Sequence, residues 1–274
     1  MRRAPGRLVL VGHPVAHSLS PALQNAALRY AGLPISYEAI DVPPDALDGA
    51  IRRLIAARAA GNVTIPHKET VARRCARLEP IAQRVEAVNT FRVAEDGMLE
   101  GTNTDVGGFD ALAREVGALR AGSRVALFGA GGSAAAVLAA LERWSGATVS
   151  LFNRTRARAE ALRERFPIVE VIASTPEEAA EDASVVVNAT SLGLRSDDPP
   201  PVAVDRLMPG AAVLDLVYRP HETAWVRAAR LRKHPAVDGL CMLLEQGALA
   251  FEWWFGIAAP RAVMREALMT AARE

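Results

Sequence analysis

Arg124-Val125-Ala126-Leu127-Phe128-Gly129-Ala130-Gly131-Gly132-Ser133-Ala134, followed by an alanine- and leucine-rich run to Leu141, sets the architecture of this chain. The apolar β-type residues Val125 to Phe128 lead into a G-x-G-x-x-A loop, and the run from Ala135 is strongly helix-forming. Gly129 permits the tight turn, Gly131 lets the main chain approach a pyrophosphate, and Ala134 lets the helix pack closely on its strand. The helix start then offers free N–H groups and a positive dipole end to phosphate. Glycines alone are equally well explained by a left-handed structural turn; the strand–turn–helix context favours a dinucleotide. The next strand, 149–152, closes on Asn153-Arg154-Thr155, with Arg156 and Arg158 beyond. No carboxylate stands there to accept a ribose 2′-hydroxyl, and guanidinium groups are available for a 2′-phosphate, which favours NADP over NAD. Arg163 and Arg165, interleaved with Glu160 and Glu164, read as the solvated face of a helix. Arg154, at the strand end, reads as a cofactor contact.

Outward from this loop, apolar β-rich runs alternate with helical patterns, the sequence form of an α/β fold with a mostly parallel sheet covered by helices. Downstream, strands are expected at 148–152, 169–172, 184–189 and 213–218, with helices around 133–143, 156–166 and 176–181. Upstream, strands are expected at 8–11, 36–42, 62–65 and 88–93. Helices at 21–31 and 45–59 lie between the first three, stopped by Gly32 and Gly61, and Asp96-Gly97 reads as a hairpin turn into 98–101. The downstream series carries its own phosphate motif and so forms a separate dinucleotide-binding domain. Its strand ends at Thr190 and at Asp215-Leu216-Val217-Tyr218 face the ligand side of such a sheet. Residues 241–255 and 260–272 are purely helical, and pattern alone does not assign them to either domain.

The 274 residues, half of them apolar and 23% charged, describe a folded protein rather than a disordered or fibrous one. A net charge of +1, from 32 basic and 31 acidic residues without a polybasic run, argues against nucleic acid as a partner. The two cysteines, Cys75 and Cys241, stand in no metal-like or redox spacing and are read as reduced thiols. The start Met1-Arg2-Arg3 before Leu8-Val9-Leu10-Val11 is faintly like a signal peptide, but its apolar run ends at Gly12-His13-Pro14 and reads as a first strand. No stretch approaches the roughly 20 apolar residues of a membrane span. A soluble cytoplasmic protein, monomer or homodimer, is expected.

The N-terminal half carries polar residues that packing does not require. Ser18 and Ser20 precede a helix; Ser20 before Pro21 fits an N-cap, and the pair together could also hold a carboxylate. In Asn62-Val63-Thr64-Ile65-Pro66-His67-Lys68, Asn62 and Thr64 share a face by the two-residue period. A lone lysine is ordinarily surface, but Lys68 at a strand end beside polar neighbours suits an acid or base. Ala87-Val88-Asn89-Thr90 and Gly101-Thr102-Asn103-Thr104-Asp105 complete the set, with Asp105 at a helix start where an N-cap role is equally open. No metal is implied: His13 and His17 are four apart, but in a proline-containing loop, and His17 and His67 are read as structural.

The ordered series Ser-x-Ser-Pro, Asn-Val-Thr-x-Pro-x-Lys, Ala-Val-Asn-Thr, Asn-Thr-Asp, Gly-Ala-Gly-Gly, Asn-Arg-Thr and Gln-Gly-Ala, from Gly12 to about Gly256, resembles the shikimate/quinate dehydrogenase family. The resemblance implies a substrate domain at 1–104, a Rossmann-type doubly wound NADP-binding domain at 105–239, and helices at 240–274 returning to the substrate domain. It implies that Ser18 and Ser20 hold the shikimate carboxylate with Tyr218. Thr64, Asn89, Asp105 and Gln246 would hold the ring hydroxyls, with Asn62 nearby. Gly129, Ala130, Gly131, Gly132, Ser133, Asn153, Arg154, Thr155, Arg158, Thr190, Leu216 and Gly239 would contact NADP. Lys68 would protonate the 3-oxygen of 3-dehydroshikimate as NADPH reduces it, with Asp105 keeping Lys68 charged and oriented. Lysine as a residue type carries a proton at neutral pH and suits this direction; oxidation of shikimate is expected to run better at high pH. Gln24 departs from the family, many of whose members carry His there, and some quinate-using members resemble this chain at that position. The alternatives are a quinate or dual-specificity enzyme, or a non-catalytic NADP sensor, which would have no need of Lys68.

Overall fold

The computed structural model describes residues 5–118 and 120–273, so Met1-Arg2-Arg3 lies outside the described residues. The chain forms two compact units: one runs up to Asp105 and resumes at Leu243, and the other spans Val106–Met242.

The first unit opens with β1 (Arg7–Gly12), α1 (Ser20–Tyr30), β2 (Tyr37–Asp41), α2 (Leu47–Ala56), β3 (Ala59–Val63), α3 (Lys68–Arg74), β4 (Arg77–Leu78), α4 (Pro80–Val85), β5 (Thr90–Val93) and β6 (Leu99–Thr102). The strands form one sheet in the order β2-β1-β3-β5-β6-β4. The run Leu8 to Val11 is apolar throughout because β1 is buried on both faces between parallel neighbours β2 and β3. β5 runs antiparallel to β3 and β6. Its hairpin turns where expected, with Gly97 at φ +83° and the Asp96 carboxylate accepting the Met98 N–H at 3.1 Å. One core layer joins Val9, Val11, Val63 and Phe91 of the sheet to Leu47, Ile51 and Leu54 of α2.

Three local expectations are corrected. The helix read as far as Ala59 ends at Ala56, and β3 starts at Ala59, because Ala59, Ala60 and Gly61 pair with Arg7, Leu8 and Val9. Alanines carry helix propensity, and tertiary pairing overrides it. β3 therefore stops at Val63, leaving Thr64 and Ile65 beyond its end. Ser20 is not an N-cap: it is the first residue of α1, Leu19 holds the cap position, and no side chain caps that end. Pattern also missed α3, β4 and α4, each too short to display a period.

α5 (Asp105–Glu115) begins on the last residue of the first unit's N-terminal stretch, and the second unit comprises the rest of α5, then β7 (Arg124–Phe128), α6 (Gly132–Leu141), β8 (Thr148–Phe152), α7 (Arg156–Arg165), β9 (Val169–Ile172), α8 (Pro176–Ala180), β10 (Val185–Asn188), β11 (Ala212–Asp215), α9 (Ala224–Leu231) and β12 (Ala236–Val237). Its sheet, β12-β11-β10-β7-β8-β9, is parallel at every pairing. The chain winds one way from β7 to β9 and the other from β10 to β12, so the switch point of this doubly wound sheet lies between β7 and β10. Every residue of α6 from Ala134 to Leu141 is buried, and its alanines let the helix lie close on the strands. Trp225 closes the other face, its Nε1 donating to the Val202 carbonyl at 3.0 Å. β11 ends at Asp215, three residues short of the expected 218, and α9 and β12 were not anticipated.

The chain ends with α10 (Leu240–Phe255) and α11 (Arg261–Ala271). From Leu243 onward these helices belong to the first unit, an assignment that pattern alone left open. Trp254 donates to the Phe91 carbonyl at 3.1 Å, and the Arg92 guanidinium lies 4.0 Å from the Trp253 ring centre while donating to the Trp253 carbonyl. Arg261 bridges Glu245 and Glu252, fixing α11 to α10.

Candidate active site and cofactor loop

Lys68 opens α3 and Asp105 opens α5, and their side chains meet, Nζ to Oδ2, at 2.7 Å. An ammonium at a helix N-terminus opposes the helix dipole, whereas a carboxylate there is favoured. Asp105 is thus the better-placed half of the pair and supplies the counter-charge that Lys68 needs. The two side chains are 14% and 6% exposed, so little water screens them. Asp105 is the first helical residue rather than an N-cap; Asn103 Oδ1 accepts its N–H at 3.1 Å. Asn89 fixes the other carboxylate oxygen, its Nδ2 donating to Asp105 Oδ1 at 2.7 Å and to Thr104 Oγ1 at 2.9 Å, while its Oδ1 accepts the Thr104 N–H at 2.7 Å. Gln246 joins from α10 through a longer contact, 3.4 Å from Asn89 Nδ2 to its Oε1. Lys68, Asn89, Asp105 and Gln246 are thereby gathered from three helices and the residue before β5.

Asn62 stands one layer behind. Its Oδ1 accepts Tyr37 Oη at 2.8 Å, and its Nδ2 donates to the Asn89 carbonyl and to Thr90 Oγ1. With both ends of the amide engaged, Asn62 is placed to hold Asn89. Thr64, past the end of β3, is partly exposed and tied to β1 by its N–H to the Val11 carbonyl. Ser18 Oγ accepts the Ser20 N–H at 3.3 Å, which pairs the two serines at the start of α1. His67 is buried with Nε2 against the Val42 carbonyl, a structural placement. Among the described residues, no group of three or more His, Cys, Asp or Glu side chains could hold a metal ion.

In the second unit the loop after β7 is shaped for a phosphate-bearing ligand. Gly129 takes φ +109°, and a Cβ there would lie 2.8 Å from the Ala189 carbonyl oxygen. Gly131, at the cap of α6, faces open space with nothing within 4 Å of where its Cβ would be. That vacancy beside the helix N-terminus, with Ala130, Gly132 and Ser133 around it, fits the pyrophosphate of a dinucleotide. Asn153 Nδ2 donates to the Thr155 carbonyl at 2.8 Å, which shapes the turn after β8; Arg154, Thr155 and Arg158 are exposed on it. Thr190 packs beside Gly129. Leu216 and Tyr218 follow β11, and Gly239 approaches the Leu216 carbonyl so closely that a Cβ would lie 2.3 Å from its oxygen.

Sequence reasoning named Asp215 only as part of a strand end facing the ligand and gave Asn188 no role, yet these two groups hold the loops. Asn188 at the end of β10 accepts from Thr190 N–H and Oγ1, and donates to the Leu192 carbonyl and to Asp215 Oδ1. Asp215 also accepts from Val217 N–H and Thr223 Oγ1. Burial pushes the Asp215 carboxyl up to about 6, against the lowering effect of these hydrogen bonds. Polar residues closing two adjacent buried strands were the available signal. Thr104, quoted within its motif but given no role, is likewise central.

Comparisons with known proteins agree along the chain. Family models described as the shikimate dehydrogenase substrate binding domain, the shikimate / quinate 5-dehydrogenase and the shikimate 5′-dehydrogenase C-terminal domain match residues 10–91, 111–194 and 239–269. The shikimate dehydrogenase (NADP(+)) of Rubrobacter xylanophilus is 47% identical over 266 residues, covering 94% of each chain. Among solved structures, the Thermus thermophilus shikimate 5-dehydrogenase in complex with NADP(H) and shikimate is 40% identical with a TM-score of 0.86, covering 97% of this chain and 99% of its own. The Aquifex aeolicus shikimate dehydrogenase is 36% identical with a TM-score of 0.88, covering 98% of this chain and 99% of its own.

Asp215 makes stability depend on pH. Its folded-state carboxyl holds a proton more tightly than the unfolded chain's, whose ordinary value is 3.8, so its contribution falls as pH rises from there through about 6. Asp215→Asn keeps an acceptor for Asn188 and Val217 and removes the titration. Relative to the unmodified protein, the variant is expected to gain about 1 kcal/mol between about pH 5 and about pH 7.5. Urea denaturation at the two pH values checks this; an unchanged difference counts against the assignment.

Proposed function

The chain belongs to the shikimate dehydrogenase family, and on that premise we propose that it catalyses the reversible NADP-dependent interconversion of 3-dehydroshikimate and shikimate, a step of aromatic amino acid biosynthesis. The observation that carries this reading is the part-buried Lys68–Asp105 pair, 2.7 Å apart and steadied by Asn89.

The bound cofactor supplies or takes up the hydride. Everything else falls to the chain's own residues. The loop Gly129 to Ser133 holds the pyrophosphate, and Arg154, with Asn153, Thr155 and Arg158 around it, offers donors to the 2′-phosphate. Thr190, Leu216 and Gly239 line the nicotinamide side. Ser18 and Ser20 bind the substrate carboxylate. Thr64, Asn89, Asp105 and Gln246 bind the ring hydroxyls. The Lys68 ammonium donates its proton to the oxygen of the reacting carbon as negative charge develops there. Asp105 holds that ammonium in place and aimed. In the oxidative direction Lys68 Nζ, deprotonated, takes the hydroxyl proton. A pure NADP sensor has no need of such a pair, which favours an enzyme. As a cytoplasmic monomer or homodimer the protein would act on small molecules; among the described residues no helix is long and apolar enough to cross a membrane.

Purified protein offered shikimate or quinate with NADP or NAD is expected to reduce cofactor fastest with shikimate and NADP. No turnover in any of the four pairings sinks the enzyme reading, and a quinate preference reassigns the substrate. Lys68→Ala is expected to lower kcat about 10²- to 10⁴-fold while KM for shikimate moves little, as loss of a general acid does. Near-normal turnover removes Lys68 from the chemistry. Arg154→Ala is expected to raise KM for NADP about tenfold and leave that for NAD unchanged; equal effects on both make Arg154 a surface residue.

A further inference from the structure

Gln24 is 0% exposed in the middle of α1, and its side-chain oxygen has no hydrogen-bond partner. Its Nε2 donates to the Gly247 carbonyl of α10 at 2.9 Å. Packing does not explain this arrangement. A carbonyl in the body of a helix already accepts the N–H four residues on, so Gly247 does not need the extra donor. The stranded Oε1 is a net penalty that leucine or methionine of similar volume would avoid. What the bond does is join two helices at a chosen point. Gly247 has no side chain there, and a Cβ would lie 2.8 Å from Leu23 Cδ1 and 3.3 Å from Gln24 Nε2, so α1 and α10 approach closely at this position.

The neighbours on each side are the proposed substrate ligands. One turn before Gln24, on the same face of α1, stands the buried Ser20, with Ser18 attached through the Ser20 N–H. Immediately before Gly247 stands Gln246, whose Oε1 faces Asn89. Further along α10, Trp253 and Trp254 are anchored to β5. Near Gln246 the contact with Asn89 is long, and the Gln24 bond supplies a second, shorter tie.

We infer that Gln24 is a positioning residue that sets the spacing between the carboxylate-binding serines and Gln246, and so governs substrate affinity without touching the substrate. This rests on the function proposed above. A ring held by its carboxylate at one end and its hydroxyls at the other is bound best at one separation of those groups, so loosening the tie weakens ground-state and transition-state binding alike.

The test is steady-state kinetics of wild type, Gln24→Leu, Gln24→Met and Gln24→His with shikimate and NADP, beside thermal unfolding. Leu and Met are expected to raise KM for shikimate about tenfold, the weight of one hydrogen bond, with kcat within about twofold and KM for NADP unchanged. Their melting temperatures should hold or rise, because the stranded acceptor is gone. Gln24→His, whose ring N–H can replace the donor, should recover most of the lost affinity. Unchanged KM for shikimate in a folded Leu or Met variant overturns the inference, as does an equal loss for both substrates, which marks a merely structural residue. Two apolar variants that both fail to fold likewise overturn it, since the fold would then need the bond. An inactive wild type refutes the function itself, a result distinguishable from all of these.

Discussion

An ammonium and a carboxylate in near-dry contact hold a useful geometry only if the carboxylate cannot turn away, and here the Asn89 amide prevents it. Asn89 donates to Asp105 and Thr104 and accepts from the Thr104 main chain, so it fixes both the start of α5 and the face that Asp105 turns to Lys68. Asn62 holds the main chain of Asn89 from β3, and Tyr37 holds Asn62 from β2. The chain of contacts thus runs from the sheet to Lys68 without a solvent-exposed link. Removing a partner from a buried network of this kind strands the others, which is why such groups are all satisfied or absent.

The second unit solves a different problem with the same economy of parts. Phosphate recognition needs main-chain N–H groups and empty space, which Gly129, Gly131 and the start of α6 provide. The loops around that space are held from below by Asn188 and Asp215, at the ends of adjacent strands β10 and β11. A carboxylate at 1% exposure is tolerated because three donors converge on it. In this unit the polar residues doing the holding, Asn188 and Asp215, are more deeply buried than Thr190, the proposed ligand contact that Asn188 holds.

What the sequence made legible follows from how many independent signals agreed. At 124–141 the apolar strand, the glycine turn and the alanine-rich helix all point one way, and the structure follows them nearly to the residue. At 57–65 they conflict, since alanines speak for helix and only the partner strand, distant in sequence, makes Ala59 and Ala60 a strand. α3, β4, α4 and β12 are too short for any period to show. Lys68 and Asp105 were legible as polar strand-end and helix-start residues, but a pair formed across 37 positions is invisible to spacing. Asn62 shows the limit from the other side: alternation with Thr64 suggested a shared ligand face, and its amide is wholly engaged behind Asn89. Gln24 was visible only as a departure from the family pattern, and burial with a stranded oxygen gives it a physical meaning.

The central claim is that Lys68 and Asp105 act as one unit in proton transfer. A double-mutant cycle on kcat for shikimate oxidation, with Lys68→Met, Asp105→Asn and the two combined, tests it most directly. If Asp105 works through Lys68, Asp105→Asn should cost about a hundredfold alone and almost nothing once Lys68 is methionine, because residues acting as a unit are far from additive. Losses that multiply in the double variant would show that Asp105 acts on the reaction independently of Lys68, and would contradict the account.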